Sequence, residues 1–189
     1  MIDWETIRPF LTQALHARLP LLDERHETAV RLFNGFREGC PQLVVELFGT
    51  TAVLTNHADP PEELSEVVTA VQPLLREQFP WLQAVLLKIR NGPDEEKRGV
   101  LLWGGPLTTK IREHGVRYAL DLTLNQDASF YLDTCHVRRW ALDNLAGQEV
   151  LNTFAYTGSL GVAAQAAGAT RVLQTDLNKR FLNVAKTSY

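Results

Sequence analysis

Val150-Leu-Asn-Thr-Phe-Ala-Tyr-Thr-Gly-Ser-Leu-Gly161, followed by a carboxylate at Asp176, is the stretch on which the fold turns. Glu149 to Thr153 reads as a strand, Phe154 to Gly158 as a tight loop and Ser159 to Ala167 as a helix. A second strand, Arg171 to Thr175, and another helix to Tyr189 come next. That βαβα order opens a doubly wound parallel sheet. A strand running through a glycine turn into a helix aims backbone N–H groups at the space before the helix, where they hold a polar or anionic ligand end. Gly158 is expected to let a ligand approach the backbone. Ala163, Ala164, Ala166 and Ala167 give the helix a small face on which to lie close to the sheet. Asp176, ending the second strand, stands where a carboxylate can accept from both hydroxyls of a ribose. The pattern implies a nucleoside-containing cofactor. The competing structural reading makes Gly158 a plain turn and Asp176 a cap for the next helix.

Two cofactors fit such a unit, NAD and S-adenosylmethionine (SAM). A dinucleotide needs G-x-G-x-x-G so that its pyrophosphate can approach the backbone. Here Phe154-Ala-Tyr-Thr-Gly158 puts bulk where the first glycines belong. SAM has no pyrophosphate, and its loop tolerates that bulk, so SAM fits better.

Upstream of this unit, Val116 to Leu122 alternates as a strand and Ser129-Phe-Tyr-Leu132 is a short apolar stretch. Asp133 is placed to cap a helix running through Trp140 and Leu145. Nearer the N-terminus, Ile7, Phe10, Leu11, Ala14 and Leu15 recur at helical spacing from an Asp3 cap to Leu19, where Pro20 ends the helix. Strands at Thr28 to Phe33, Gln42 to Phe48 and Thr51 to Asn56 form a meander around the turn-rich Asn34 to Pro41. Pro60-Pro-Glu-Glu63 opens a second helix through Leu75. Strands at Leu82 to Arg90 and Val100 to Trp103 flank a charged loop, Asn91 to Arg98, that reads as a hairpin tip. The expected organisation is a small α+β domain over residues 1–106, then the first βαβα units of a Rossmann-like α/β sheet over residues 107–189.

The bulk properties exclude little. The chain has 189 residues and a net charge of −3, with 45% hydrophobic and 22% charged residues, an ordinary globular composition. No apolar run has the length of a membrane span. The acidic, amphipathic N-terminus does not read as a signal peptide. Cys40 and Cys135 lack paired spacing and read as free thiols in a reducing cytoplasm. The five histidines have no partners at metal or triad spacing. Net charge gives no argument for nucleic-acid binding by the whole chain. Lys88, Arg90, Lys97, Arg98, Lys110, Arg112 and Arg117 form a modest local excess of base, whose alternative is an ordinary solvated face.

Three stretches carry a resemblance to bacterial 23S ribosomal RNA methyltransferases of the RlmI and RlmKL type. Leu151-Asn-Thr-Phe-Ala-Tyr-Thr-Gly-Ser159 resembles the family's L-N-x-F-[SA]-Y-T-G-[GS] SAM loop. Ser129-Phe-Tyr-Leu-Asp133 with Arg138 resembles its G-x-F-[FL]-D-x-R-x-x-R block. Arg31-Leu-Phe-Asn-Gly-Phe-Arg-Glu-Gly-Cys-Pro-Gln-Leu-Val-Val45 is similar to its R-L-x-[NH]-G-x-x-[ED]-G-x-P-G-L-x-V hairpin. The resemblance implies a SAM-dependent methyltransferase acting on ribosomal RNA bases. It implies that Phe154, Tyr156, Thr157 and Gly158 surround the cofactor and that Asp176 holds its ribose. Phe130, Asp133 and Arg138 would wall the same pocket, with Arg138 available to the methionine carboxylate; the plainer alternative makes Phe130 core and Arg138 a solvated helix residue. Cys135 departs from the family pattern by standing where arginine is usual.

The family's seven-stranded sheet and its N/D-P-P segment extend past what these residues supply. The sequence therefore reads as truncated and is not expected to transfer methyl groups by itself. An incomplete sheet would expose an edge and apolar faces, which predicts self-association. Two other readings are a non-catalytic RNA-binding or adaptor fragment and, on the βαβα unit alone, an NAD-dependent oxidoreductase.

Overall fold

The computed structural model describes residues 2–189, which fall into two compact units, one ending at Thr108 and the other running Thr109–Tyr189.

The first unit opens with α1 (Trp4–Arg18), capped by Asp3, whose carboxylate accepts from the backbone N–H groups of Glu5 and Thr6. Ile7, Leu11, Ala14 and Leu15 form its buried face, and a 3₁₀ turn at Leu19–Leu21 ends it around Pro20. The chain then forms β1 (Ala29–Asn34), β2 (Leu43–Phe48) and β3 (Thr51–Asn56), an antiparallel meander. Its register shifts between Arg31 and Phe33, so neighbouring Leu32 and Phe33 are both fully buried. At the β1–β2 turn a side chain on Gly35 would lie 2.0 Å from the Cys40 carbonyl oxygen, so only glycine fits. Glu38 fastens that turn, accepting from the Asn34 N–H (2.9 Å) and from Arg18 of α1 (2.5 Å).

A 3₁₀ turn at Pro61–Leu64 and α2 (Ser65–Gln78) carry the chain across to β4 (Ala84–Ile89), which pairs parallel to β3. Val67, Val68, Val71 and Leu75 of α2 join the α1 face and the sheet in one core. The charged segment expected as a hairpin tip does join two antiparallel strands, and it contains a short helix, α3 (Asp94–Arg98), with three acids in its first turn and two bases in its last. Buried Lys88 donates to the Arg98 carbonyl at the end of α3 (2.7 Å). That placement removes Lys88 from any contact surface. β5 (Val100–Gly104) completes a five-stranded sheet in sequential order.

The second unit begins with an antiparallel hairpin, β6 (Lys110–Glu113) and β7 (Val116–Ala119). Irregular chain leads to α4 (Cys135–Asn144). The expected Asp133 cap is not made: Asp133 is exposed within a preceding 3₁₀ turn, Leu132–Thr134, and Thr134 holds the cap position. Next come β8 (Glu149–Asn152), α5 (Ser159–Ala166), β9 (Arg171–Gln174) and α6 (Lys179–Lys186), with β8 and β9 parallel as the alternation requires. The buried face of α5 is Gly161, Val162, Ala163 and Ala164; Ala166, expected there, is exposed. A side chain on Gly161 would meet Gln174 at 2.3 Å, which shows how close the helix lies to the sheet.

Candidate cofactor-binding site

The loops leaving β8 and β9 are tied edge to edge. Thr175 N–H donates to the Asn152 carbonyl (2.9 Å), and Ala155 N–H donates to the Thr175 carbonyl (2.9 Å). The Tyr156 N–H then donates to one Asp176 carboxylate oxygen (2.9 Å), while the other oxygen accepts from the Asn178 N–H (2.8 Å). Asn178 is itself the cap of α6, accepting from the Arg180 N–H. Asp176 thus joins the β8 loop to the start of α6, and it remains half-buried rather than enclosed. A carboxylate has about four acceptor positions. Two are used here, so the group keeps capacity for a diol.

The left-handed turn that the loop needs falls at Tyr156 (φ +50°) and Gly158 (φ +80°). The space a Gly158 side chain would fill is taken by Ala185, at 2.5 Å, and by Gln174. The packing of the chain on itself therefore requires glycine at this position. Thr157 is buried and donates to the Ser129 carbonyl (2.5 Å). Tyr156 packs against Tyr131 and edge-on against Phe181, with its hydroxyl donating to Asn125 (3.1 Å). Burial raises the Tyr156 pKa far above the ordinary phenol value, so it stays protonated.

Phe154 is 88% exposed at the tip of the β8 loop, and Leu177, next to Asp176, is entirely exposed. Exposed apolar side chains thus stand on both loops, at the C-terminal ends of parallel strands, the usual ligand position in open α/β sheets. Leu177 was missed from sequence because one leucine before a helix carries no periodic signal.

The second expected block is arranged differently. Phe130 is buried, packed against Tyr118 and beneath the Arg138 guanidinium, whose central carbon lies 4.0 Å from the ring centre. Arg138 is wholly buried, paired through two nitrogens with Glu113 (2.5 and 2.8 Å), and it also donates to the Tyr131 carbonyl and Thr134 hydroxyl. It is neither a solvated helix residue nor a group pointing at open space. Glu113, which sequence reading passed over, emerges as its partner. The Tyr118 hydroxyl is buried with no hydrogen-bond partner among the described residues, and burial with nearby Glu113 pushes its pKa up to about 12. Cys40 and Cys135 are free thiols. Among the described residues no group of histidine, cysteine or carboxylate side chains could hold a metal, and no helix is long and apolar enough to cross a membrane.

A glycine loop and strand-end carboxylate on a βαβα unit define a nucleoside-cofactor domain of the Rossmann-like class. The family model for S-adenosylmethionine-dependent methyltransferases matches residues 31–189, and the chain belongs to that family. The match begins in β1, so the first unit's sheet is part of it. A Bacillus subtilis protein, YwbD, assigned as a ribosomal RNA large subunit methyltransferase, is 31% identical over 94% of this chain and 45% of its own length. Ribosomal RNA large subunit methyltransferase I of Shewanella amazonensis is 27% identical over 98% of this chain and 47% of its own. The chain spans about half the length of these relatives. The crystal structure of SMU.776, assigned as a methyltransferase and complexed with S-adenosylhomocysteine (SAH), shares the fold at TM-score 0.83 and 22% identity, covering 100% of this chain and 48% of that one.

Proposed function

We propose that this chain carries the SAM-binding half of a methyltransferase acting on ribosomal RNA bases. The observation that carries this reading is Asp176, held by the Tyr156 N–H where the loops leave β8 and β9, each loop carrying an exposed apolar residue, Phe154 and Leu177. Asp176 accepts from the ribose hydroxyls, Leu177 offers an apolar face to the adenine, and the Phe154–Gly158 loop lines the methionine side. Thr157 and Gly158 act there through their backbone, because one side chain is committed to Ser129 and the other position has no room for one. Phe130 and Asp133 belong to the neighbouring wall, Phe130 from beneath and Asp133 from its exposed turn.

SAM supplies an electrophilic methyl group on a sulfonium, which already has a good leaving group. The protein's contribution is therefore holding donor and acceptor in line. A paired base must leave its stack to be reached. The ribosomal RNA substrate is supported by the names of the relatives, and exposed Arg98 and Lys110 are the charges we assign to it. The same reading puts the protein in the cytoplasm and expects self-association through Leu151 and Leu173, exposed on one face of β8 and β9. Calorimetric titration with SAH, with NADH as control, tests the cofactor: saturable SAH binding that is lost in Asp176→Ala supports it. NADH binding without SAH binding would return the oxidoreductase reading. RNA affinity without SAH affinity would favour an adaptor.

A further inference from the structure

The stretch Ser129–Tyr131 is a strap tied at both ends. Its Ser129 carbonyl accepts from Thr157 of the cofactor loop (2.5 Å), and its Tyr131 carbonyl accepts from Arg138 of α4 (2.9 Å). Between these ties Phe130 is clamped under the Arg138 guanidinium, and Ser129 is held in the left-handed region (φ +59°) while its hydroxyl accepts from the Asp121 N–H (2.9 Å). Tyr131 then lies against Tyr156, whose N–H holds Asp176. What fixes Arg138 is Glu113 at the end of β6, through two short bonds to a guanidinium with no exposed surface.

We propose that Glu113 is a positioning residue for the cofactor: through Arg138 it holds the Ser129–Tyr131 strap, and through the strap the Tyr156–Thr157 turn and Asp176. The proposal rests on the SAM-binding reading of that loop. Arg138 is then no ligand for the methionine carboxylate, because its nitrogens are spent on Glu113, Tyr131 and Thr134. Glu113 and Arg138 act as a unit, since removing either leaves the other charge buried without its partner. Loops held this way lose affinity steeply when their support loosens, commonly by about tenfold or more.

The test measures Kd by calorimetry for SAH and for 5′-methylthioadenosine, which lacks the amino-acid carboxylate. The proteins compared are the wild-type chain, Glu113→Gln, Arg138→Lys, the double variant and Thr157→Val. The proposal expects each single variant to weaken both ligands alike, about tenfold for the ion-pair variants. The double variant is expected to be no weaker than the worse single one. Thr157→Val breaks the strap–loop bond without disturbing a buried charge, and it carries the test if the ion-pair variants do not fold. Unchanged Kd values with lower melting temperatures would overturn the proposal, leaving a merely structural pair. Loss of SAH affinity in Arg138→Lys with 5′-methylthioadenosine unaffected would also overturn it, by placing Arg138 on the carboxylate. A wild-type chain that binds neither ligand would refute the cofactor reading itself, whereas wild-type binding with unchanged variants refutes the proposal alone.

Discussion

The chain contains two parallel strand pairs joined by a helix, β3–α2–β4 and β8–α5–β9, and they are finished in opposite ways. Every residue of β3 is buried, and the loop after it consumes its own polar groups: Asn56 donates to the Pro61 carbonyl and accepts from the Ala58 N–H. Asn91, beyond β4, is likewise bonded to the Ala58 carbonyl. The helix between them starts only after two prolines and a 3₁₀ turn. In the second pair α5 starts directly after Gly158, and a carboxylate with unused acceptor capacity, Asp176, stands on loops that also carry exposed Phe154 and Leu177. One topology therefore serves as a packed support in one unit and as a candidate site in the other. What separates them is whether the loop polar groups are spent within the loop or left facing outward.

The largest effect expected from this contrast is on ligand binding. Asp176→Ala should weaken SAH binding by about a hundredfold, since hydrogen bonds to a charged group are worth about 1.5–3 kcal/mol each. Asn56→Ala should leave the SAH Kd unchanged and lower only the melting temperature. Equal losses from both would erase the distinction. On stability, Leu54→Ala in β3 should cost about 2–5 kcal/mol by chemical denaturation. Leu173→Ala, on the exposed face of β9, should stay within about 0.5 kcal/mol. Gly158→Ala should cost at least about 1–3 kcal/mol, because it adds left-handed strain to a clash with Ala185.

A further modest effect concerns Tyr118. Its hydroxyl is buried without a partner, so Tyr118→Phe should be neutral or stabilising by about 1 kcal/mol. Its raised pKa means that the folded state holds the proton more tightly than the unfolded state does. The associated stability is complete below pH 10 and falls as the pH rises from 10 to about 12. Denaturation curves across that range should show the decline in wild type and a smaller one in Tyr118→Phe.

Much of the architecture was legible in the residues. Strand alternation, the Asp3 cap and the glycine turn each have a local cause, and the βαβα order follows from them. The hairpin strand β6 was not legible, because Lys110-Ile-Arg-Glu113 has one buried residue and declares itself only through its pairing with β7. The α3 helix was hidden in a charged run whose acids and bases happen to complement a helix dipole. At the site, Asp176 and the glycine turn were readable because strand-end position decides them. The burial of Arg138 was not legible, because a helical arginine is usually exposed, and nothing near it in sequence announces Glu113, which lies 25 positions away. The packing need at Gly158 was not legible, since its neighbours Ala185 and Gln174 are distant in sequence.

The central claim, that the ends of β8 and β9 form the SAM site, is tested most directly by titrating the ¹⁵N-labelled chain with SAH and following backbone amide resonances. Saturable shifts concentrated at Phe154 to Gly158 and at Asp176 and Leu177, with Asn56 to Ala58 and Asn91 unmoved, are the predicted result. Shifts centred on the β3–β4 loops, or none at millimolar SAH, would contradict it.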